Sequence, residues 1–328
     1  MSQFRQNPIT REWVLIAPNR SQRPDDFAGE PVIRPHTPDI LDACVFCPGN
    51  ENKNPDIARF PAGKNWQVRI IPNKFEIVSN APIHSTKEFY INRSGIGEHE
   101  VVITRKHNEP VALQSLQTVE LTLHTLRQRY LDLAAHGAQH AYIEMFHNHG
   151  RDAGASLIHP HYQIITLPMV PKAAHEEIAG SHDYYRHHGV CVYCDMIKEE
   201  KALEDRVIHE TQDFIIFEPY AARFPFETWL VPKKHSANFE KISDQDITQL
   251  AFALKLALGQ LYAKLSDPPL NFYFHTLPAH AEHSAYDQKS YHWHLTILPR
   301  TTIWGGFEYA TGIPINPVSP EQAAKFLK

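Results

Sequence analysis

The feature that most limits what this chain can become is a pattern that occurs twice. A Cys-x-x-Cys pair, Cys44 and Cys47 in "CVFC", is followed by a strand-like run, "WQVRIIPNKF", and then by "HEVVITRKH", which ends in a basic residue and His107. The same order returns with Cys191 and Cys194 in "CVYC", then "DFIIFEPY", then "FETWLVPKKH" ending at His235. After each comes a stretch with apolar residues at three- and four-residue steps, the period of an amphipathic helix: Leu116, Val119, Leu123, Leu126, Tyr130 and Leu133, and later Ile247, Leu250, Leu254, Leu258, Leu261 and Leu265. Ser243 is placed to cap the second helix, with Asp244 and Asp246 at its positive end. Each half then closes on two strands, "AYIEMFHNHG" with "HPHYQIITLP" and "NFYFHTLPAH" with "HWHLTILPR".

A unit of strand, strand, helix, strand, strand is satisfied by an antiparallel sheet with a helix packed on one face. The expectation is therefore an α+β protein of two tandem halves, residues 1–171 and 172–328, joined near "PMVP" (Pro168 to Pro171) and the polar, His-rich stretch up to Gly189. A chain of 328 residues suits two such units. The rare residues coincide between the halves, which common apolar residues would do by chance.

Charge and composition narrow the partners. With 32 Lys plus Arg against 37 Asp plus Glu, the net charge of −5 provides no basic field for nucleic acid. Neither a signal peptide nor an apolar run of membrane-spanning length is evident, so a soluble, cytoplasmic protein is expected. All four cysteines lie in the two Cys-x-x-Cys pairs, which in a reducing compartment points to metal or redox chemistry.

Two thiolates and two imidazoles form a preferred tetrahedral set for zinc, and a closed four-ligand site is structural. The repeat supplies two such sets: Cys44, Cys47, His107 and His159, and Cys191, Cys194, His235 and His292. The competing reading is a pair of redox dithiols, or core thiols with ordinary surface histidines. Recurrence of the whole pattern in both halves favours zinc, and the metal content of the purified protein decides the matter.

The strand from His159 poses a separate problem. Side chains alternate along a strand, so His159, His161 and Gln163 share one face while Ile158 and Tyr162 take the other. Each polar group sealed there without a partner would cost about 1–3 kcal/mol. A metal can satisfy His159; a polar ligand is the economical partner for His161 and Gln163. Upstream, "FHNHGRDAGASLIHPH" offers Gly150, Gly154, Ala155 and Ser156, small enough to let backbone N–H groups approach a phosphate, although surface turns use the same residues.

"GASLIHPHYQ" resembles the active-site motif of the galactose-1-phosphate uridylyltransferases, the nucleotidyl-transferring branch of the histidine-triad superfamily. "NPITREWVLIAPNRSQRP", "CVFCPGNE", "VRIIPNKF", "EHEVVI", "NHGRDAGAS" and the C-terminal "GFEY…SPEQAAKFL" have counterparts there in the same order. The resemblance implies two histidine-triad-like halves, with His161 as the nucleophile that takes a nucleotidyl group from UDP-glucose and passes it to a hexose 1-phosphate in ping-pong fashion. It implies that Gln163 donates to the phosphoryl oxygens and that His159 binds metal. It further implies contacts from Asn73, Asn148, Gly154 and Ser156 to ribose and phosphate, and from Arg20 and Arg23 to phosphate across a homodimer interface.

Phe307 and Glu308 match the aromatic-plus-acid pair that holds the hexose, but the glutamine that follows it in the family has no counterpart here. Cys191 and Cys194 are intact where many members lack the second pair. That arrangement resembles the branch containing ADP-glucose phosphorylases, which load AMP and use inorganic phosphate as acceptor. In the second half His294 aligns with His161, but Thr296 replaces Gln163, so that half is expected to be catalytically silent. Two rival classes are a histidine-triad nucleotide hydrolase, which would carry a third histidine in place of Gln163, and a non-catalytic, zinc-stabilised nucleotide-binding module.

Overall fold

The computed structural model describes residues 1–18, 24–27, 29, 37–79, 81, 89–137, 141–278 and 287–328. Arg20 and Arg23 lie outside the described residues. In chain order the first half contains β1 (Gln3–Gln6), β2 (Trp13–Ile16), α1 (Pro38–Ala43), β3 (Ala58–Phe60), β4 (Val68–Pro72), β5 (His99–Thr104), α2 (Leu116–Ala134), β6 (Tyr142–His149) and β7 (His161–Leu167). The second contains α3 (Lys172–His188), α4 (Val192–Leu203), β8 (Val207–Glu210), β9 (Phe214–Phe217), β10 (Thr228–Pro232), α5 (Asp244–Leu265), β11 (Leu270–His275), α6 (Asp287–Ser290), β12 (His294–Pro299), α7 (Gly306–Thr311), β13 (Ile315–Asn316) and α8 (Pro320–Leu327).

The two expected helices form where their periodicity places them. Ser115 caps α2 by accepting from the Thr118 amide, and Ser243 and Asp246 form a reciprocal capping box on α5. Val119, Leu123, Leu126, Tyr130 and Leu133 of α2 are buried, as are Ile247, Leu250, Leu254, Leu258, Leu261 and Leu265 of α5. The two helices pack beside one another on a shared core that includes Tyr162, Ile164, Leu295 and Ile297 from the closing strands.

The sheets are not separate. They fuse into one ten-stranded sheet of order β3-β4-β5-β7-β6-β11-β12-β10-β9-β8, a palindrome in which each half repeats the other's order outward from the central pair. β6 and β11 meet antiparallel, with His147 opposite Phe272 and Asn148 opposite Asn271. Fusion pairs two edges that separate sheets would have left open. Residues 3–16 cross to the other half: β2 runs parallel to β13, and Arg5 makes a two-pronged ion pair with Glu321.

Two local expectations change. The closing strands begin at His161 and His294, not at His159 and His292. In the first half Pro160 intervenes and has no N–H to give a ladder. The stretch expected as a polar join is a seventeen-residue helix, α3, ended by Gly189 in the left-handed conformation (φ 74°). Ser181 is its one buried residue, so little apolar periodicity marked it. Among the described residues no helix is long and apolar enough to cross a membrane.

Candidate active site

Alternation along β7 sends Tyr162 and Ile164 into the helix-side core and turns His161 and Gln163 to the opposite face. There the Nδ1 of His161 lies 2.8 Å from the backbone carbonyl of His159. A carbonyl only accepts, so Nδ1 carries the hydrogen and Nε2 keeps its lone pair. Phe46 sets its ring edge-on, 5.3 Å away. Burial holds the imidazole below its ordinary pKa, against the opposing pull of the His159 carbonyl, so the ring is neutral near pH 7.

His161 and Gln163 line a cavity of about 670 Å³ together with Asn73, Gly154 and Ser156, which brings five of the expected site residues to one place. Lys53 and Lys74 line it as well and suit it to an anionic ligand. Neither lysine was evident as a site residue in the sequence. Asn148 lines a neighbouring cavity of about 390 Å³ that shares Ser156 and Leu157 with this one; its Oδ1 accepts from Asn271, which also donates to the Ala153 carbonyl and so braces the loop.

The loop is narrower in function than its composition suggested. Gly150 (φ 81°) and Gly154 (φ 85°) both require the left-handed region, and a Cβ on Gly150 would press within 3.0 Å of Pro269. The amides of Ala153, Gly154 and Ala155 are all engaged inside the loop, donating to Gly150, Arg151 and Gly150. Ser156 has no hydrogen-bond partner among the described residues, which leaves it as the donor available to a phosphate.

Both predicted ligand sets assemble, with the ligand atoms of each within 4.8 Å of one another. A tetrahedral zinc with bonds of about 2.3 Å to sulfur and about 2.0 Å to nitrogen separates the two kinds of ligand by roughly 3.5 Å. Here His159 Nδ1 is 3.6 Å from each of the Cys44 and Cys47 sulfurs, and His107 Nδ1 is 3.2 Å from Cys47. In the second set, Cys194 is 3.5 Å from His235 Nδ1 and 3.7 Å from His292 Nδ1. The Nε2 atoms of His159, His235 and His292 donate to the carbonyls of Thr104, Gln288 and Pro232, which turns each Nδ1 lone pair inward. Burial and the adjacent Cys44 push the Cys47 thiol up to about 12. A divalent cation is what such a pair needs in order to ionise.

Family models cover both halves: residues 1–171 match the galactose-1-phosphate uridyl transferase N-terminal domain, and residues 177–326 match its C-terminal domain. The chain belongs to the galactose-1-phosphate uridyl transferase family. It is 35% identical over 335 residues to the ADP-glucose phosphorylase of Arabidopsis thaliana, covering 99% of this chain and 92% of that protein. It is 29% identical over 334 residues to the galactose-1-phosphate uridylyltransferase of Haemophilus influenzae, covering 99% and 93%. The crystal structure of the Arabidopsis thaliana ADP-glucose phosphorylase with bound ADP-glucose matches with a TM-score of 0.85 at 33% identity, over 100% of this chain and 98% of that one. This member of the uridyl transferase family is thus a nucleotidyltransferase of α+β fold.

Its second half repeats the geometry around a buried ring. His294 Nδ1 meets the His292 carbonyl at 3.2 Å, as His161 meets that of His159. Yet the ring is fully buried, stacked on His275 at 4.1 Å, with Trp229 and Tyr193 each 4.9 Å away, and its Nε2 has no partner. Register explains the difference. Gln163 sits opposite Val101, whereas Thr296 sits opposite Trp229, whose indole fills the space that Val101 leaves open. Glu177, His275 and His294 form a third group close enough to hold a cation. Glu177 and His275 carried no sequence signal, because α3 brings one to the other across the fold. His99 was also missed; its ring contacts Gln163 at 2.8 Å and Asn73 at 2.9 Å.

In this uridyl transferase family member, Phe307 and Glu308 do not reach the His161 cavity within one chain. Glu308 lines a separate cavity of about 470 Å³ with Trp304, and its carboxylate accepts from the Gly305 amide. Phe307 is half exposed beside it.

Proposed function

We propose that His161 carries a covalent nucleotidyl group from UDP-glucose to a hexose 1-phosphate. The observation that carries this reading is an imidazole whose Nδ1 is held by the His159 carbonyl, which leaves the Nε2 lone pair free, on a side chain that lines one cavity with Gln163. The Nε2 lone pair attacks the α-phosphorus, and the bond to the bridging oxygen breaks with its electron pair going to the departing sugar 1-phosphate. The His159 carbonyl offsets the charge that the ring acquires. A phosphate oxygen of the acceptor then attacks the same phosphorus, and the P–N pair returns to Nε2. Neither nucleophile needs a separate base.

Gln163, Ser156 and the lysines meet the charge on the phosphoryl oxygens. A glutamine does so without activating water, which favours transfer over hydrolysis. Gln163→Ala is expected to slow nucleotidyl-enzyme formation by about 10²–10³-fold in a single-turnover assay, the cost of removing one donor from developing oxyanion charge. The second half is assigned no chemistry. His294→Ala is expected to leave that rate nearly unchanged once folding has been verified, because the His294 ring is buried against His275, Trp229 and Tyr193.

Zinc is the metal we assign to both Cys₂His₂ sets, as a structural ion that anchors the strand before His161. We assign Phe307 and Glu308 to the sugar side of a neighbouring copy's cavity, in a homodimer; for Arg20 and Arg23, outside the described residues, we keep the phosphate role that the resemblance implies. A second reading has a specific observation behind it: the higher identity and TM-score with the ADP-glucose phosphorylase, together with an intact Cys191, Cys194, His235 and His292 set, favour ADP-glucose as donor and inorganic phosphate as acceptor. Loading the protein with labelled UDP-glucose or ADP-glucose, then chasing with galactose 1-phosphate or phosphate, separates the two. Retention of UMP that galactose 1-phosphate releases supports the first, and retention of AMP that phosphate releases supports the second. No retained label with any donor contradicts both.

A further inference from the structure

The cavity places two amides, Gln163 and Asn73, against one buried imidazole. His99 opens β5 on the face shared with Val101, is 5% exposed, and points its ring at both. Its Nδ1 lies 3.2 Å from the backbone N–H of Ile77. That N–H can only donate, so Nδ1 is the unprotonated atom and the ring hydrogen sits on Nε2. Nε2–H in turn faces the Gln163 Oε1 at 2.8 Å. With its oxygen held, Gln163 has its NH₂ left for the phosphoryl oxygens. A freely turning amide would present its oxygen lone pairs to an anion for part of the time.

Asn73 sharpens the arrangement. Its Oδ1 accepts from the Phe75 amide at 2.9 Å, so its Nδ2 brings only hydrogens toward His99 Nε2. Turning the Asn73 amide over merely moves the donor-to-donor conflict to Phe75. Either way an Asn73 or Phe75 N–H lacks an acceptor beside a cavity that both residues line, and a ligand oxygen would supply one.

We propose that His99 is a positioning residue that fixes the Gln163 amide with its NH₂ toward the group being transferred to His161. This rests on His161 as the site of nucleotidyl transfer. The action runs through Gln163, so its loss should appear in the rate of nucleotidyl-enzyme formation more than in substrate affinity. Outer partners that orient a metal ligand typically cost about 10–100-fold when removed, and an effect of the same order is expected for a partner that orients the Gln163 amide.

The test is a double-mutant cycle on single-turnover formation of the nucleotidyl-enzyme, with melting temperatures taken in parallel. His99→Phe should slow formation by about 10–100-fold with KM changed less than about threefold. In a Gln163→Ala background, the same substitution should cost less than about threefold further. His99→Gln, which can return an N–H to the place of Nε2, should recover most of the rate. His99→Asn, which is too short to do so, should not. The Gln and Asn pair decides the issue if the Phe variant does not fold. Additive losses in the double variant, or equal rates for His99→Gln and His99→Asn, would overturn the role of His99 while leaving His161 in place. If the unmodified protein formed no nucleotidyl-enzyme, both assignments would fall together.

Discussion

His161→Ala is expected to lower turnover by on the order of 10⁴-fold or more, with the melting temperature nearly unchanged. The size follows from the role. Removing the imidazole removes the group assigned to bond to phosphorus, one that needs to lose no proton first. Gln163, Ser156 and the lysines would still bind the nucleotide, so affinity should persist while label transfer to protein disappears. Retained binding distinguishes loss of the nucleophile from collapse of the cavity. The structure supports a clean result, since the His161 side chain makes one hydrogen bond, to the His159 carbonyl, and abuts an open cavity.

Cys44→Ser should have the second largest effect, on stability and through it on the active strand. Loss of a structural metal site ranks with the most destabilising single changes, about 4 kcal/mol or more. His159 links the two properties: its Nδ1 faces Cys44 and Cys47, and its carbonyl holds His161 Nδ1. Metal content measured by mass spectrometry should fall from two equivalents per chain to one. The melting temperature should drop, and the rate of nucleotidyl-enzyme formation should fall with it. Cys191→Ser should also cost one metal, but it acts on a strand whose His294 is sealed by Trp229 and Tyr193, so the rate per folded molecule should change little. A folded wild-type protein with no bound metal would contradict the assignment of zinc.

The rare residues carried what could be read early. Cysteine and histidine recurred at matching places in both halves, and the fold brings both sets of side chains within reach of a single metal ion. The periodicity of α2 and α5 was strong because one face of each is buried on the shared core. Other features depended on tertiary register. Nothing local to Val101 or Trp229 says that one leaves a cavity and the other fills it; that follows from which strand lies opposite Gln163 and Thr296. His99 was hidden because it is 64 residues from the glutamine it contacts. The fusion of two sheets through β6 and β11 was equally out of reach, since each half taken alone satisfies the same strand pattern. The loop at Gly150 to Ser156 was legible as tight but not as to which amides it uses, because the bonds of Ala153 to Ala155 are set by two left-handed glycines.

The most direct test of the central claim is the site of the covalent intermediate. The protein would be mixed with UDP-glucose and, separately, ADP-glucose, and quenched in alkali, where a phosphoramidate survives. Digestion and mass mapping would then follow. The account predicts one nucleotidyl group per chain, located on His161, absent from His161→Ala and still present in His294→Ala. A nucleotidyl group on another residue, or turnover of either donor with no covalent adduct at any time point, would contradict it.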